Sequence, residues 1–160
     1  MWVASNSDLR YNFPMILQVR MFPDPVLRQV CEPVTVFDAA FLKTVNDMFE
    51  TMHHFKGVGL AASQVGILKQ FLVLEYEGRR LILTNPVITA SFGSTVEEEG
   101  CLSLPNVRVP VTRAHKVEVS AVSKVGKPFK LKEKGFIARI IQHEIDHLHG
   151  RLITDHTPLP

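Results

Sequence analysis

The stretch that decides the fold is residues 136 to 150, which read FIARIIQHEIDHLHG. Its apolar residues recur at spacings of three and four, and this pattern predicts an amphipathic helix from Phe136 to Leu148. Gly150 follows the last apolar residue, and glycine is the favoured residue just after a helix. The sequence therefore predicts that the chain closes with a helix of more than three turns.

The same helix contains the motif H-E-x-x-H at residues 143 to 147. His143 and His147 are four residues apart, so both imidazoles face one spot and can bind one divalent ion. Glu144 adjoins the first histidine and can reach a water molecule there without being a ligand. For this helix taken alone, the alternative is a pair of hydrogen-bonded core histidines beside a paired glutamate.

A helical wheel at about 100° per residue divides this segment into three arcs. The chemical arc holds Phe136, Ile140, His143, Glu144 and His147. The core arc holds Ile137, Ala138, Ile141, Ile145 and Leu148. The polar arc holds Arg139, Gln142, Asp146 and His149. Arg139 adjoins His143 on the wheel, so it is also a candidate for the rim of a site.

Upstream of this helix, the pattern predicts one more long helix and several strands. The helix spans residues 39 to 55, with Asp38 as its N-cap, and a short helix is expected near residues 23 to 28. The strands are predicted at 71–76, 81–84, 107–111, 117–122 and 128–131. A helix, then strands, then a helix indicates an α+β fold, with small antiparallel sheets packed around the C-terminal helix.

Composition narrows the classes of function. The 160 residues amount to about one domain, and the net charge of +2, from 18 basic and 16 acidic residues, does not predict direct nucleic-acid binding. No apolar run approaches the ~20 residues that cross a membrane. Two cysteines make no disulfide framework in a chain of this length, and reduced cysteines are typical of a cytoplasmic protein.

A catalytic metal site usually has three protein ligands, so the two histidines need a partner from elsewhere. The candidates are Cys31, Cys101, His115 and the acidic run 97–99. The surroundings favour Cys101, because Gly100 lets the backbone approach closely and apolar residues flank it. A cysteine beside a divalent cation is deprotonated and becomes a strong ligand, although a cysteine taken alone is more often a small buried apolar residue.

Three segments together resemble the peptide deformylases. They are GVGLAASQ at 57–64, EGCLS at 99–103 and QHEIDHL at 142–148. All three occur in this order in a chain of this size, and the similarity extends from about Met15 to the end. The resemblance implies a hydrolase that removes the N-formyl group from the N-terminal methionine of nascent polypeptides and releases formate.

The resemblance also assigns residues. It implies that Cys101, His143 and His147 bind one divalent metal, natively Fe²⁺, with Zn²⁺, Ni²⁺ or Co²⁺ as substitutes. Glu144 then moves the proton, and the Gln64 side chain and the Leu102 backbone N–H stabilise the formyl oxygen.

The same resemblance implies that Gly57, Val58 and Gly59 pair with the substrate backbone as an added strand. The wall of the methionine pocket is expected at Leu104, Phe136 and Ile140. Arg108 is expected near the pocket mouth.

The same resemblance implies a domain organisation and a set of binding partners for this chain. Residues 1–14 are predicted to be an N-terminal arm and residues 15–160 a single catalytic domain, because Met15 resembles a family start. The expected partner is an N-formylmethionyl peptide or nascent chain, and the protein is expected to be a bacterial-type cytoplasmic monomer, with an organelle as the alternative. A transient ribosome contact is in doubt, because the chain stops ten residues after Gly150, whereas many members continue into a further helix.

Two other functions remain open at this point. A zincin-type metallopeptidase shares H-E-x-x-H, but such enzymes usually take a histidine or glutamate as the third ligand. An inactive, metal-binding deformylase-like protein would have no need of Glu144 or Gln64. Release of formate, as against cleavage of an internal peptide bond, distinguishes these alternatives.

Overall fold

The C-terminal helix packs its apolar face against one side of a five-stranded sheet. The fold is known from a computed structural model, which describes residues 13–157. The helix, α2 (Gly135–Leu148), buries Ala138, Ile141, Ile145 and Leu148. Fully burying a large apolar side chain contributes about 1.5 to 3 kcal/mol, so this face fixes the rotation of the helix and with it the direction of its chemical arc.

The five-stranded sheet is antiparallel throughout. Its order in space is β1 (Gly59–Ala61), β2 (Phe71–Tyr76), β3 (Arg79–Phe92), β6 (Lys116–Val122) and β7 (Pro128–Lys134). β1 therefore lies at one edge, next to α2. The core between this sheet and α2 contains Leu72, Leu74, Leu83, Val117, Val119 and Ala121.

A separate two-stranded sheet carries Cys101, the cysteine of the EGCLS segment. It is formed by β4 (Thr95–Cys101) and β5 (Leu104–Arg113), joined by a tight turn at residues 102 and 103. The apolar residues Leu104 and Val111 of β5 pack with Leu27, Leu152 and Ile153. This packing holds the hairpin beside α2, so the end of β4 faces the H-E-x-x-H motif.

The first long helix packs against β1 and β2 on the face opposite to α2. It is α1 (Ala39–His54), and the Asp38 carboxylate accepts a hydrogen bond of 2.9 Å from the Phe41 backbone N–H at its start. Such an N-cap stabilises a helix by about 1 kcal/mol. Its buried face packs with Leu60, Ala62 and Phe71 on the neighbouring strands and turn.

The predicted α+β fold is confirmed, and most element positions agree with the pattern. β2 has the predicted bounds, and both helices begin and end within one residue of them. Four observed strands, β3, β5, β6 and β7, extend beyond their predicted bounds. β1 and β4 were not predicted, and the short helix near residues 23–28 is a 3₁₀ turn at Pro25–Arg28.

Two further expectations concern the ends of the chain and membranes. The predicted arm at residues 1–14 lies outside the described residues except for Phe13 and Pro14. Among residues 13–157, neither helix has the length and apolar character that a membrane span requires.

Candidate active site and metal centre

One thiol and two imidazoles meet where β4 ends against α2. The candidate ligand atoms of Cys101, His143 and His147 all lie within 4.8 Å of one another. The Cys101 Sγ is 3.3 Å from the His147 Nε2. The structure thus brings together the three residues that the sequence proposed as ligands, although they come from two elements far apart in the chain.

The chemistry of these donors fits a divalent transition ion. One thiol with two imidazoles is a typical three-ligand set for a catalytic site with one open position. Burial lowers the pKa of His147 well below its usual range, so this imidazole is neutral and can act as a ligand. Burial also lowers the pKa of His143, but hydrogen bonds with Cys101 and Glu99 outweigh it and raise that pKa to about 10. A metal cation that binds the His143 Nε2 therefore displaces a proton from it.

The other candidates for the third ligand do not join this group. Cys31 is buried in the apolar core, and His115 is exposed. Glu97 is exposed as well and lies 3.6 Å from the Arg139 guanidinium. Among residues 13–157, Cys101, His143 and His147 form the one group of three that can hold a metal ion.

Glu99 is buried beside the site and orients one of the histidines. Its Oε2 lies 2.8 Å from the His143 Nδ1, and both of its oxygens accept hydrogen bonds of 2.9 Å from the Arg113 guanidinium. The Arg139 guanidinium donates to Oε1 at 2.8 Å. Burial alone would raise the pKa of Glu99, but hydrogen bonds from His143 and Arg113 hold that pKa well below its usual range. The carboxylate is therefore ionised and leaves the His143 Nε2 free for a cation.

The position of Arg139 corrects the helical wheel. The wheel assigned Arg139 to the polar arc and made it a candidate for the rim of a site. The side chain does line the cleft, but it is only 4% exposed and so does not belong to a solvated face. Besides Glu99, it donates to the backbone carbonyls of Val111 and Thr95. Partners on β4 and β5 explain this burial, and a wheel drawn for one helix contains no information about them. His149, in the same arc, is exposed as the wheel indicated.

Glu144 is buried next to the three candidate ligands. Its Oε1 is 4.0 Å from the His143 Nε2, and its Oε2 has no hydrogen-bond partner among the described residues. Burial raises the pKa of Glu144 to about 7, against the attraction of His143. Such a group can both accept and return a proton near neutral pH. Gly59 faces it so closely that an added Cβ would lie 2.8 Å from Oε1.

Gln64 approaches the same spot from a 3₁₀ turn, Ala62–Val65, that follows β1. The Ala61 backbone N–H donates to the Gln64 Oε1 at 2.9 Å, so the amide nitrogen Nε2 points the other way. This Nε2 lies 3.6 Å from the Cys101 Sγ and 3.2 Å from the Ser103 Oγ. Leu102 is in the turn between β4 and β5, directly after the cysteine. Gln64 and Leu102, the two predicted oxyanion donors, line the same cleft as Cys101.

An open cleft of about 710 Å³ leads to these groups. Its lining includes every residue that the sequence proposed for substrate binding: Gly57, Val58, Gly59, Leu104, Arg108, Phe136 and Ile140. Ile140 and Leu104 are buried, whereas Phe136 and Val58 are exposed at the opening. The Tyr76 ring packs edge-on against Phe136, with 4.8 Å between centroids. The cleft therefore has an apolar wall beside its polar floor.

A comparison with known families decides the class of this chain. The family described as polypeptide deformylase matches residues 16–159. The chain belongs to this family. Deformylases are metal-dependent hydrolases of protein biosynthesis, and the comparisons support the deformylase prediction rather than the zincin-type metallopeptidase.

Individual relatives agree with the family match. A peptide deformylase of Chromobacterium violaceum is 46% identical over 138 residues, which cover 84% of this chain and 83% of the relative. A peptide deformylase from Synechococcus elongatus, solved in complex with actinonin, is 42% identical, with a TM-score of 0.87 over 89% of this chain and 79% of that one. A Met-Ala-Ser-bound deformylase from Acinetobacter baumannii is 30% identical, with a TM-score of 0.88 over 91% and 100%.

Sequence reasoning on this deformylase missed part of the site. Arg113 and Ser103 were not considered, and Glu99 was considered only as a ligand. The one signal for a buried charge network was the place of Arg139 next to His143 on the wheel. Arg113 is the last residue of β5, and no local pattern marks it, so only its contacts with Glu99 and with Asp146 of α2 reveal its role.

Proposed function

We propose that this deformylase removes the N-formyl group from the N-terminal methionine of nascent polypeptides at the floor of the cleft, with release of formate. The observation that carries the proposal is the convergence of Cys101, His143 and His147 within 4.8 Å, beside a buried glutamate and a fixed glutamine. We further propose that these three residues hold one divalent ion. When bound, such an ion lowers the pKa of a water molecule to about 7 and polarises a carbonyl oxygen.

Glu144 is the proton carrier in this proposal. It accepts the proton of the attacking water and then delivers it to the departing amine, which becomes the free amino terminus. Support comes from its burial, from its pKa of about 7 and from an oxygen with no partner among the described residues. A carboxyl group with that pKa can change its protonation state twice in one turnover near neutral pH.

Gln64 and the Leu102 backbone N–H stabilise the formyl oxygen. That oxygen gains negative charge as water adds to the formyl carbon, and each fixed donor there contributes about 3 kcal/mol to the transition state. Support for Gln64 is the orientation of its Nε2 toward Cys101. Support for Leu102 is its place in the turn directly after that cysteine.

The peptide lies along the cleft in extended form. We propose that Gly57, Val58 and Gly59 pair with its backbone, because Gly59 begins β1, the end strand of the five-stranded sheet, and the Val58 carbonyl extends its pairing with β2 by accepting from the Glu75 N–H. The methionine side chain then lies against Leu104, Phe136 and Ile140, with Arg108 at the mouth. The Met-Ala-Ser bound by the Acinetobacter relative is a peptide of the expected product type.

The experiment for this function is a paired assay on one anaerobic preparation. Metal content and formate release from N-formyl-Met-Ala-Ser are measured together, and the peptide is examined for internal cleavage. We expect one metal ion per chain and one formate per peptide. Internal cleavage without formate would instead indicate a metallopeptidase, and bound metal without any turnover would indicate an inactive relative.

We propose Fe²⁺ as the native metal, and Zn²⁺, Ni²⁺ or Co²⁺ as substitutes. A thiol and two imidazoles accept all four ions, and Zn²⁺ binds more tightly than Fe²⁺ in the usual order, so an aerobic preparation can collect a substitute. The test is to load the metal-free protein with each ion under nitrogen, measure formate release and then admit air. Equal activity with all four ions and no loss in air would contradict the claim that the identity of the metal matters.

The wider setting follows from the substrate. We propose that the protein acts as a monomer in the cytoplasm on chains emerging from the ribosome, with at most a transient ribosome contact. Sedimentation of the purified protein, alone and with ribosomes, tests both the oligomeric state and the contact.

A further inference from the structure

Both ends of the Gln64 side-chain amide are fixed by neighbours. The Ala61 backbone N–H donates to the Gln64 Oε1 at 2.9 Å. A backbone N–H can only donate, so this contact identifies the oxygen and leaves the nitrogen on the opposite side, toward the β4–β5 turn. Gln64 is itself buried. Its amide therefore has one orientation available in this setting.

The nitrogen end is held by Ser103. The Ser103 Oγ accepts one N–H of the Gln64 Nε2 at 3.2 Å, and this serine is fully buried. An amide nitrogen carries two N–H groups, and the second is turned toward the Cys101 Sγ, 3.6 Å away. Once the first N–H is taken by Ser103, the second can point only to the floor of the cleft.

The two backbones that carry these groups are tied together by one short segment. The Arg20 backbone N–H donates to the Gln64 carbonyl at 2.7 Å, and the Phe22 backbone N–H donates to the Ser103 carbonyl at 2.8 Å. The segment from Arg20 to Phe22 thus fixes the 3₁₀ turn of Gln64 against the β4–β5 turn. Neither partner of the side-chain hydrogen bond can move away without breaking a backbone contact.

We propose that Ser103 is a positioning residue: its hydroxyl holds the Gln64 amide so that the second N–H donates to the formyl oxygen. This inference rests on the proposed function, and it adds a residue whose effect on catalysis passes through Gln64. Without the Ser103 hydroxyl, the buried Gln64 amide nitrogen loses its hydrogen-bond partner, and its second N–H is no longer held toward the formyl oxygen. A purely structural serine would instead contribute the same packing whether or not Gln64 is present.

The experiment is a double-mutant cycle on formate release from N-formyl-Met-Ala-Ser. Ser103→Ala is compared with wild type, and the same change is made in a Gln64→Ala background. We expect Ser103→Ala to lower kcat about tenfold with KM nearly unchanged, because the lost interaction belongs to the transition state. In the Gln64→Ala background, Ser103→Ala should have no further effect. Ser103→Thr, which keeps the hydroxyl, should restore most of kcat.

A second readout needs no turnover. In the Zn²⁺-loaded protein without substrate, the side-chain N–H protons of Gln64 should exchange slowly with solvent, because one of them is bonded to a buried hydroxyl. Ser103→Ala should speed this exchange at least tenfold. The resonances are assigned by their loss in Gln64→Ala. Thr84→Val is the control, since it removes a buried hydroxyl on β3 that does not line the cleft.

Three outcomes would overturn the proposal. They are an unchanged kcat in Ser103→Ala, an equal loss in both backgrounds, and an unchanged exchange rate at Gln64. If Ser103→Ala does not fold, Ser103→Gly removes the same hydroxyl in a turn that tolerates glycine. Failure of the proposed function would look different, because the wild-type protein would then release no formate. Gln64→Ala by itself should lower kcat about 100-fold or more, and an unaffected Gln64→Ala would remove the oxyanion role through which Ser103 acts.

Discussion

The change with the largest expected effect on stability is Glu99→Gln. The Glu99 side chain is 6% exposed, and its two oxygens accept four hydrogen bonds, from Arg113, Arg139 and His143. A glutamine of the same shape offers one acceptor oxygen, and its amide nitrogen would face a donor. Of the two arginines, each 4% exposed, Arg113 would then keep only Asp146 as an acidic partner, and Arg139 only the exposed Glu97 at 3.6 Å.

Removing one partner from a buried ionic network costs about 3 to 5 kcal/mol, because the remaining charges stay buried. For a chain of this size each kcal/mol corresponds to about 2 to 4 °C, so Tm should fall by about 6 to 20 °C. The free energy of unfolding is measured by denaturant titration of the metal-free protein. Glu98→Gln is the matched control, since Glu98 is the exposed neighbour and has no ion pair in the described structure.

The same variant has a consequence for the metal. Glu99 accepts from the His143 Nδ1, and loss of such a partner typically weakens metal affinity by about 10- to 100-fold. Competition with a chelator measures this change. An unfolding free energy within about 1 kcal/mol of wild type, with unchanged metal affinity, would refute the claim that this network holds the site together.

Three further predictions concern the cleft and the N-terminus. Glu144→Ala should keep its metal content and lose at least nine-tenths of kcat, since a general acid–base group contributes about 10² to 10⁴-fold to the rate. Residual activity above one tenth of wild type would contradict the proton-carrier role. Gly59→Ala should lower kcat about 100-fold by moving Glu144, because the new Cβ would lie 2.8 Å from the Glu144 Oε1. Gly100→Ala is the control, since its Cβ would meet nothing nearer than 3.8 Å. Equal activities of these two glycine variants would show that the contact is not tight. Removal of residues 1–14 should leave formate release intact, since neither Phe13 nor Pro14 lines the cleft. A folded but inactive truncation would show that residues 1–14 contribute to the site.

Local pattern was sufficient for the two helices and for the identity of the chemical groups. The spacing of apolar residues predicted α1 and α2, because burial of one helical face imposes a period of 3.6 residues on the sequence. The H-E-x-x-H motif placed His143 and His147 on one face for the same reason. Asp38 could be named as an N-cap because the interaction spans three residues, all visible in the sequence.

The strands were harder to predict where their residues are polar. β4 contains three consecutive glutamates, which were considered only as candidate metal ligands, yet it is half of a hairpin. β1 is three residues long and begins at Gly59, two residues after Gly57, so no alternation could mark it. Both strands are stabilised by hydrogen bonds to partners elsewhere in the chain, and a window of sequence does not contain those partners.

The sequence by itself therefore determined the helices, the α+β class and which side chains carry chemistry, since these depend on interactions within a few residues. Only the tertiary structure decided how Cys101 reaches the histidines and why Arg139 is buried. The same holds for Glu99, which orients His143 rather than standing as a candidate ligand, and for Ser103 beside Gln64. The physical reason is that the burial of a charge or an amide depends on compensating groups from other elements, here β4, β5 and the segment before the first helix. Those contacts form only when the chain is folded, and they leave no periodic mark on the sequence.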